Sequence, residues 1–447
     1  MREASKPVAL SEQLLLGVGG AYLVTLFIAG FLTNFFSLGT INSGTILLYF
    51  LAGLLSVIGM LYLVNPLKKE IALIIILILA LSLLSVVKSL LDTNPSGDRV
   101  RELAIFFLGV WPFFFFVQIS NFKVRQRLYR ILALGLVGLA VFGIFQGIFA
   151  NYLPNNLFVL RGDTTFTLYG VDTLRPTGLT GNPIVFSSMT VFASAYFAAL
   201  WLETRRAKFF WAITFSLVAN YLTYTRASIV LVIPVLFFVW LIHKRLHIKH
   251  KFALIATVVV AIGVVQFALV NGGNVIMVQR LQNSSPSDIA STLGHVEQIR
   301  NAGNAILSHP WLGTGMGSNS TFIGPENAII TDGAWWILFL EFGAPLSILI
   351  VVSLFIFLII LTKGVLREKS TDRALAIATL SFHAYLIPAN FIDSAILGHI
   401  SFGLYWVVLG LSFAGLRSGL NRPVLKHSHP HESGDGTTSA RTMLSGA

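Results

Sequence analysis

The stretch Phe209–His243, FFWAITFSLVANYLTYTRASIVLVIPVLFFVWLIH, decides how the rest of the chain is read. It holds two apolar runs, 209–223 and 228–243, separated only by Tyr224 and Thr225-Arg226-Ala227. Arg226 is its sole Lys, Arg, Asp or Glu. A helix crossing the hydrocarbon core of a bilayer needs about 20 mostly apolar residues, so each run is a short but usable span. The pattern recurs through the chain. Of its 447 residues, 55% are hydrophobic and only 11% charged, with 36 Phe and a mean hydropathy of +0.78. Soluble domains carry about 25% charged residues. This composition excludes a disordered chain, a nucleic-acid-binding domain and a soluble multidomain enzyme. There is no Cys, which excludes a disulfide framework and any Cys-based metal site and leaves the redox compartment open.

The expected fold is all-α: a polytopic membrane bundle of about twelve transmembrane helices. The spans fall near 13–33, 45–64, 71–91, 103–120, 129–150, 183–202, 209–223, 228–243, 252–271, 334–361, 374–390 and 394–416. Pro183 suits the first turn of the sixth. The first run is long enough to span and ends at no small-residue cleavage site, so it is expected to stay as a helix. In domain terms, residues 1–271 carry spans 1–9 and 272–333 form a large outer loop. Residues 334–416 carry spans 10–12, and 417–447 form a polar, disordered cytoplasmic tail containing His427, His429 and His431.

Basic residues orient such a chain, because Lys and Arg concentrate in cytoplasmic loops. With the N-terminus inside, 23 of the 31 Lys and Arg fall on inner segments, among them Lys123, Arg125, Arg127 and Arg130 before the fifth span. Both termini are then cytoplasmic. The net charge of +12 reflects this layout rather than a nucleic-acid surface.

Eight basic residues violate the rule: Lys88, Arg99, Arg101, Arg161, Arg175, Arg226, Arg280 and Arg300. Seven are Arg, whose planar fork grips phosphate oxygens bidentately. An outer arginine cluster at the membrane boundary suits a lipid-linked phosphate or pyrophosphate. Snorkelling to headgroups accounts for Lys88, Arg99 and Arg101. Arg175 and Arg226 favour phosphate binding, and Arg161 and Arg300 are further candidates. The large loop also holds one amphipathic helix. Ser287 can cap it, Ile289, Leu293, Val296, Ile299 and Ile306 recur at helical spacing, and His309-Pro310 ends it. It is either a surface helix lying on the membrane or a lid over an outer site.

Asp288, His295, Glu297, His309, Glu326, Asp332 and Glu341, with Asp393 and His399 near the last hairpin, are the outer groups able to act as a general base toward a sugar hydroxyl. His383 lies mid-span and reads as a packed core residue. Gly313-Thr-Gly-Met-Gly-Ser lacks the Lys-Ser/Thr ending of a phosphate loop and reads as a turn allowing close backbone packing. There is no HExxH and no paired-carboxylate metal motif, so neither metal nor cofactor is expected.

Four stretches together carry a family resemblance. They are Arg175-Pro-Thr-Gly-Leu-Thr-Gly-Asn182, Tyr224-Thr-Arg226-Ala-Ser228, His309-Pro-Trp-Leu-Gly-Thr-Gly-Met-Gly317 and Asp332-Gly-Ala-Trp-Trp-Ile-Leu-Phe-Leu-Glu-Phe-Gly343. In order, spacing and outer placement, from about residue 150 to 415, the chain resembles the bacterial O-antigen ligase and polysaccharide polymerase superfamily. The resemblance implies a metal-independent glycosyltransferase of the bacterial inner membrane. Its donor would be a glycan on undecaprenyl pyrophosphate, taken at the periplasmic face, and Arg175 and Arg226 would hold the pyrophosphate. Ligases pass the glycan to the lipid A core; polymerases pass it to another lipid-linked repeat unit. Ligases usually place His-Asn where this chain has Asp332-Gly333, and often Arg where it has His295. Asp332 would then be the base, with His295 or Glu326 as alternates, and the acidic residue favours polymerase over ligase. A chain-length regulator is an optional further partner. A transporter or flippase is the rival class. Transporters place ionisable groups at the bilayer midplane, often within internal repeats, and this chain keeps most of them near span ends without a clear repeat.

Overall fold

The computed structural model describes residues 6–35, 37–38, 41–61, 110, 112–119, 121–149, 152–153, 165–168, 171–243, 286–315, 318, 329, 331–367, 372–391 and 399–420. Helices dominate them: α1 (Lys6–Phe35), α2 (Ser43–Leu61), α3 (Pro112–Phe116), α4 (Phe122–Ile148), α5 (Pro183–Thr204), α6 (Ala207–Leu222), α7 (Arg226–His243), α8 (Pro286–Ser308), α9 (Ala334–Arg367), α10 (Asp372–Ala389) and α11 (His399–Leu420). The all-α class holds, and the strands among the described residues are short. Two antiparallel ribbons lie in the connections, β1 (Ser37–Leu38) with β2 (Ile41–Asn42), and β3 (Thr165–Leu168) with β4 (Val171–Leu174). Among the described residues, five stretches are long and apolar enough to cross a membrane: Glu12–Leu32, Phe122–Ile148, Pro183–Thr204, Arg226–His243 and Ala334–Leu366. Ile46–Leu55 and Ser401–Leu416 are shorter apolar stretches. The spans expected at 71–91 and 252–271, and the tail beyond Leu420, lie outside the described residues.

α5 is the hub, packed by α4, α6, α7 and α10. Its sequence explains why it tolerates burial on all sides. Ala193, Ala195, Ala198 and Ala199 let neighbours approach closely. Its hydroxyls are satisfied within the helix: Ser187 donates to the Ile184 carbonyl and Ser188 to that of Val185, both at 2.8 Å, and Ser194 to that of Thr190 at 2.9 Å. Asn182 caps the helix, accepting from the Ile184 and Val185 amides at 2.8 and 3.2 Å, and Pro183 opens it as expected.

One end of the bundle carries basic residues expected on inner segments, with a correction. Asn121 accepts from the Lys123 and Val124 amides, so α4 begins at Phe122 rather than near 129. Lys123, Arg125, Arg127 and Arg130 therefore ride on the helix instead of a loop. Arg125 is fully buried, 3.0 Å from Asp372 at the start of α10, and also donates to the Ile119 carbonyl. Beside it, Arg373 reaches Glu203 at 3.0 Å and the carbonyls of Val365, Ile242 and His243, tying α5, α7, α9 and α10 together.

Toward the opposite end, α9 covers the span expected at 334–361 but is kinked within it. Gly343 has φ 74° and ψ 174°, which breaks the helix, and Pro345 follows. The Leu340 and Glu341 carbonyls lose their usual helical partners: the Ala344 amide bonds instead to the Pro310 carbonyl at 2.7 Å, and Pro345 has no N–H. The glycine turn supplies replacements. Thr314 donates to the Leu340 carbonyl at 2.7 Å and Gly315 to that of Glu341 at 3.2 Å. The two carbonyls opened at the break are thus satisfied. A side chain at Gly313 would meet the Leu340 and Glu341 backbone within 2.6 Å.

Candidate active site

The site lies at the end of the bundle away from Arg125 and is built from three connections and one helix face. The first connection, 175–182, is wedged between helices. The Phe31 amide of α1 donates to the Leu179 carbonyl at 3.0 Å, the Thr177 amide to Gln146 of α4 at 3.2 Å, and the Thr180 backbone fills the space that a side chain at Gly30 would need. So held, Arg175 projects onto the second connection, the turn between α6 and α7. Its Nε donates to the Thr223 carbonyl at 2.8 Å and its Nη2 to Thr225 Oγ1 at 2.7 Å.

That turn is strained and braced. Tyr224 sits at φ 53°, a left-handed conformation uncommon for a bulky residue. Thr223 Oγ1 donates to the Asn220 carbonyl and accepts from the Thr225 amide, Asn220 Nδ2 donates to the Ser228 carbonyl, and Ser228 Oγ donates to that of Thr225. Arg226 is the first residue of α7 and half-buried, rather than lying within a loop.

The third connection is Thr331-Asp332-Gly333. Gly333 is pressed against the Phe391 carbonyl, where a side chain would come within 2.5 Å. Trp335 donates from its amide to Asn390 and from Nε1 to Ile387, and Trp336 Nε1 donates to Phe391. The start of α9 is thereby fixed on the end of α10, and Asp332 with it. His295, on the inward face of α8, completes the pair: its Nδ1 lies 3.0 Å from Asp332 Oδ2. The carboxylate that accepts from it raises the His295 pKa above its usual value. Partial burial and the nearby charge of Arg226 oppose that rise, and a hydrogen bond with Gln298 adds to it. Arg226 therefore stands close enough for its charge to be felt at the pair.

Arg175, Arg226, His295 and Asp332 are brought together. Arg300 is not: it is exposed, five residues from His295 and so about 140° around α8. Glu326 and Arg161 lie outside the described residues, as do Lys88, Arg99, Arg101 and Arg280. His383 is buried and bonded to the Thr379 carbonyl and Tyr405 Oη at 2.8 and 2.9 Å, a packed core residue. Thr223 and Thr225 are the functional residues that the sequence does not mark, although Thr225 adjoins Arg226 in the Tyr224–Ser228 motif. A threonine beside an arginine carries no signal until the partner from Arg175 is seen. Among the described residues no three His, Asp or Glu gather closely enough to hold a metal ion.

Residues 211–337 match the family model described as O-antigen ligase. The matched stretch takes in α6, α7, α8 and the start of α9, and hence Arg226, His295 and Asp332; Arg175 lies upstream of it. The match supports the O-antigen ligase and polymerase superfamily, whose members are glycan-transferring membrane enzymes, on a domain covering under a third of the chain. No curated protein matches the chain.

Proposed function

We propose that this protein is a metal-independent polymerase of undecaprenyl-pyrophosphate-linked repeat units, working at the periplasmic face of the bacterial inner membrane with both termini cytoplasmic. The observation that carries the reading is the His295–Asp332 pair at 3.0 Å, facing the charge of Arg226, whose turn is gripped by Arg175. A carboxylate beside a cationic pocket is what glycosyl transfer from a pyrophosphate requires. The acceptor hydroxyl oxygen forms a bond to the anomeric carbon, and the bond from that carbon to the pyrophosphate oxygen breaks. The hydroxyl proton passes to Asp332, or to His295 in its neutral form. The raised pKa of His295 favours Asp332 as the base, with His295 donating to Oδ2 and holding the carboxylate in place. Arg226 stabilises the negative charge growing on the departing pyrophosphate, and Arg175 holds Arg226 in position as well as adding charge.

An apolar cavity of about 340 Å³ lies between α9 and α10, lined by Trp335, Phe339, Phe355, Leu358, Leu386 and Phe391 among others; neither His295 nor Asp332 lines it. Trp335 follows Asp332 by three residues, so the cavity suits a hydrocarbon chain whose head group reaches the pair.

The second reading is a ligase transferring the glycan to the lipid A core, favoured by the description of the matching family model. Purified protein in lipid, given one lipid-linked repeat unit and no other acceptor, separates the two. A ladder of longer lipid-linked glycans is the expected result. No ladder, with transfer once a lipid A core is added, makes it a ligase; silence in both, with positive flipping, makes it a transporter.

A further inference from the structure

The outer surface of α8 is divided into sectors. At about 100° per residue, Ile289, Leu293, Val296, Arg300 and Leu307 fall within about 60° of one another, and all five are exposed; Leu293 is 64% and Leu307 80% accessible. The next sector of about 60° holds Glu297, Asn301, Asn304 and Ser308, also exposed. The remaining side, with His295, Ile299, Ala302 and Ile306, turns toward the protein, where Ala302 is fully buried. A helix standing in water has no reason to sort its exposed residues in this way. A helix lying where protein, hydrocarbon and water meet does.

Neighbouring residues say which medium covers the apolar sector. Trp311 and Leu312 follow the helix and are 75% and 57% accessible. Their backbone docks at Gly343, the break in α9, and one turn beyond it Ile348 begins the exposed apolar row of α9 that continues through Val352, Phe355 and Ile359. The uncovered face of α8 is thus continuous with the flank of a helix long and apolar enough to cross a membrane, and a Trp stands at the junction, where aromatic residues mark the membrane–water boundary.

We propose that α8 lies on the bilayer, its Ile289–Leu293–Val296–Leu307 face sunk among phospholipid chains and Arg300 paired with a lipid phosphate. The bilayer then presses the opposite face, with His295, against Asp332. The occupant is lipid, neither a second protein nor the sugar substrate, and the proposal is independent of which glycan is transferred.

The chain has no Cys, so single-cysteine variants need no prior substitution. V296C and L307C test the apolar sector, and E297C and N304C the polar one. Each is labelled with a nitroxide in bilayers containing anionic phospholipid, and collision rates with oxygen and with a water-soluble nickel chelate are compared. Oxygen is expected to dominate several-fold at 296 and 307, and the chelate at 297 and 304. Equal chelate access at all four sites would place the helix in water and overturn the proposal. Shielding of 296 and 307 from both reagents would overturn it in favour of a protein partner. Two positions per sector guard against one variant failing to fold.

Discussion

At the residue scale, the site is two charged pieces held by different means. Arg226 is positioned by its turn, and the turn by Arg175, which spends two hydrogen bonds on Thr223 and Thr225. Arg226→Lys should lower transfer about a hundredfold, the order of loss when one donor to a developing anion goes, with the melting transition unchanged; full activity would remove Arg226 from pyrophosphate binding. Thr225→Val should slow turnover by releasing Arg175, whereas Thr225→Ser, which keeps the hydroxyl, should restore it. Equal rates in the two would mean that Thr225 only packs. The pair on the other side predicts a pH dependence. Because folding raises the His295 pKa, its stabilisation is fully present below its unfolded value of about 6.5 and fades as pH rises through the folded value. The stability difference between wild type and His295→Gln, followed by thermal unfolding, should be largest in mild acid and shrink toward alkaline pH.

At the element scale, the glycine turn after α8 splices a broken helix. Gly313-Thr-Gly resembles a phosphate loop only in composition; its amides go to the carbonyls that Gly343 and Pro345 leave without helical partners. Gly343→Ala meets two obstacles, a φ of 74° and a Trp311 carbonyl 2.5 Å from the new methyl group. It should cost more than about 1–3 kcal/mol and lower the melting temperature of the purified protein, while Gly303→Ala, which meets nothing within 4 Å, should not. The sequence showed a glycine-rich stretch and an apolar helix. That one repairs the other was not legible, because it depends on which carbonyls lose their donors, and so on where the helix breaks.

At the scale of the whole molecule, the two ends of the bundle do different work. One end is clamped by buried charge: Arg125 and Asp372 are 247 residues apart in the chain and 3.0 Å apart in space. Asp372→Ala leaves a buried guanidinium without its counter-charge and should destabilise the protein by about 3–5 kcal/mol, measured as lost recovery of folded protein after mild heating. Transfer by the surviving folded fraction should be near normal, since the pair is remote from Asp332. The other end gathers the 175–182 connection, the α6–α7 turn, α8 and the start of α9, so the site draws on segments spread from Arg175 to Asp332.

The sequence by itself determined the membrane-spanning character, the helical class and the candidates Arg175, Arg226, His295 and Asp332. Those follow from the length of apolar runs, from charges that bilayer and loop preferences disfavour, and from motifs that survive as strings of residues. Only the tertiary structure decided that Arg175 grips the turn before Arg226, that His295 rather than another imidazole meets Asp332, and that Arg300 faces away. Helical position can be counted along one element, but which face of α8 turns inward depends on the surface of α9 against which it packs. A hydrogen bond between residues 37 or 50 apart exists only once the elements carrying them are assembled.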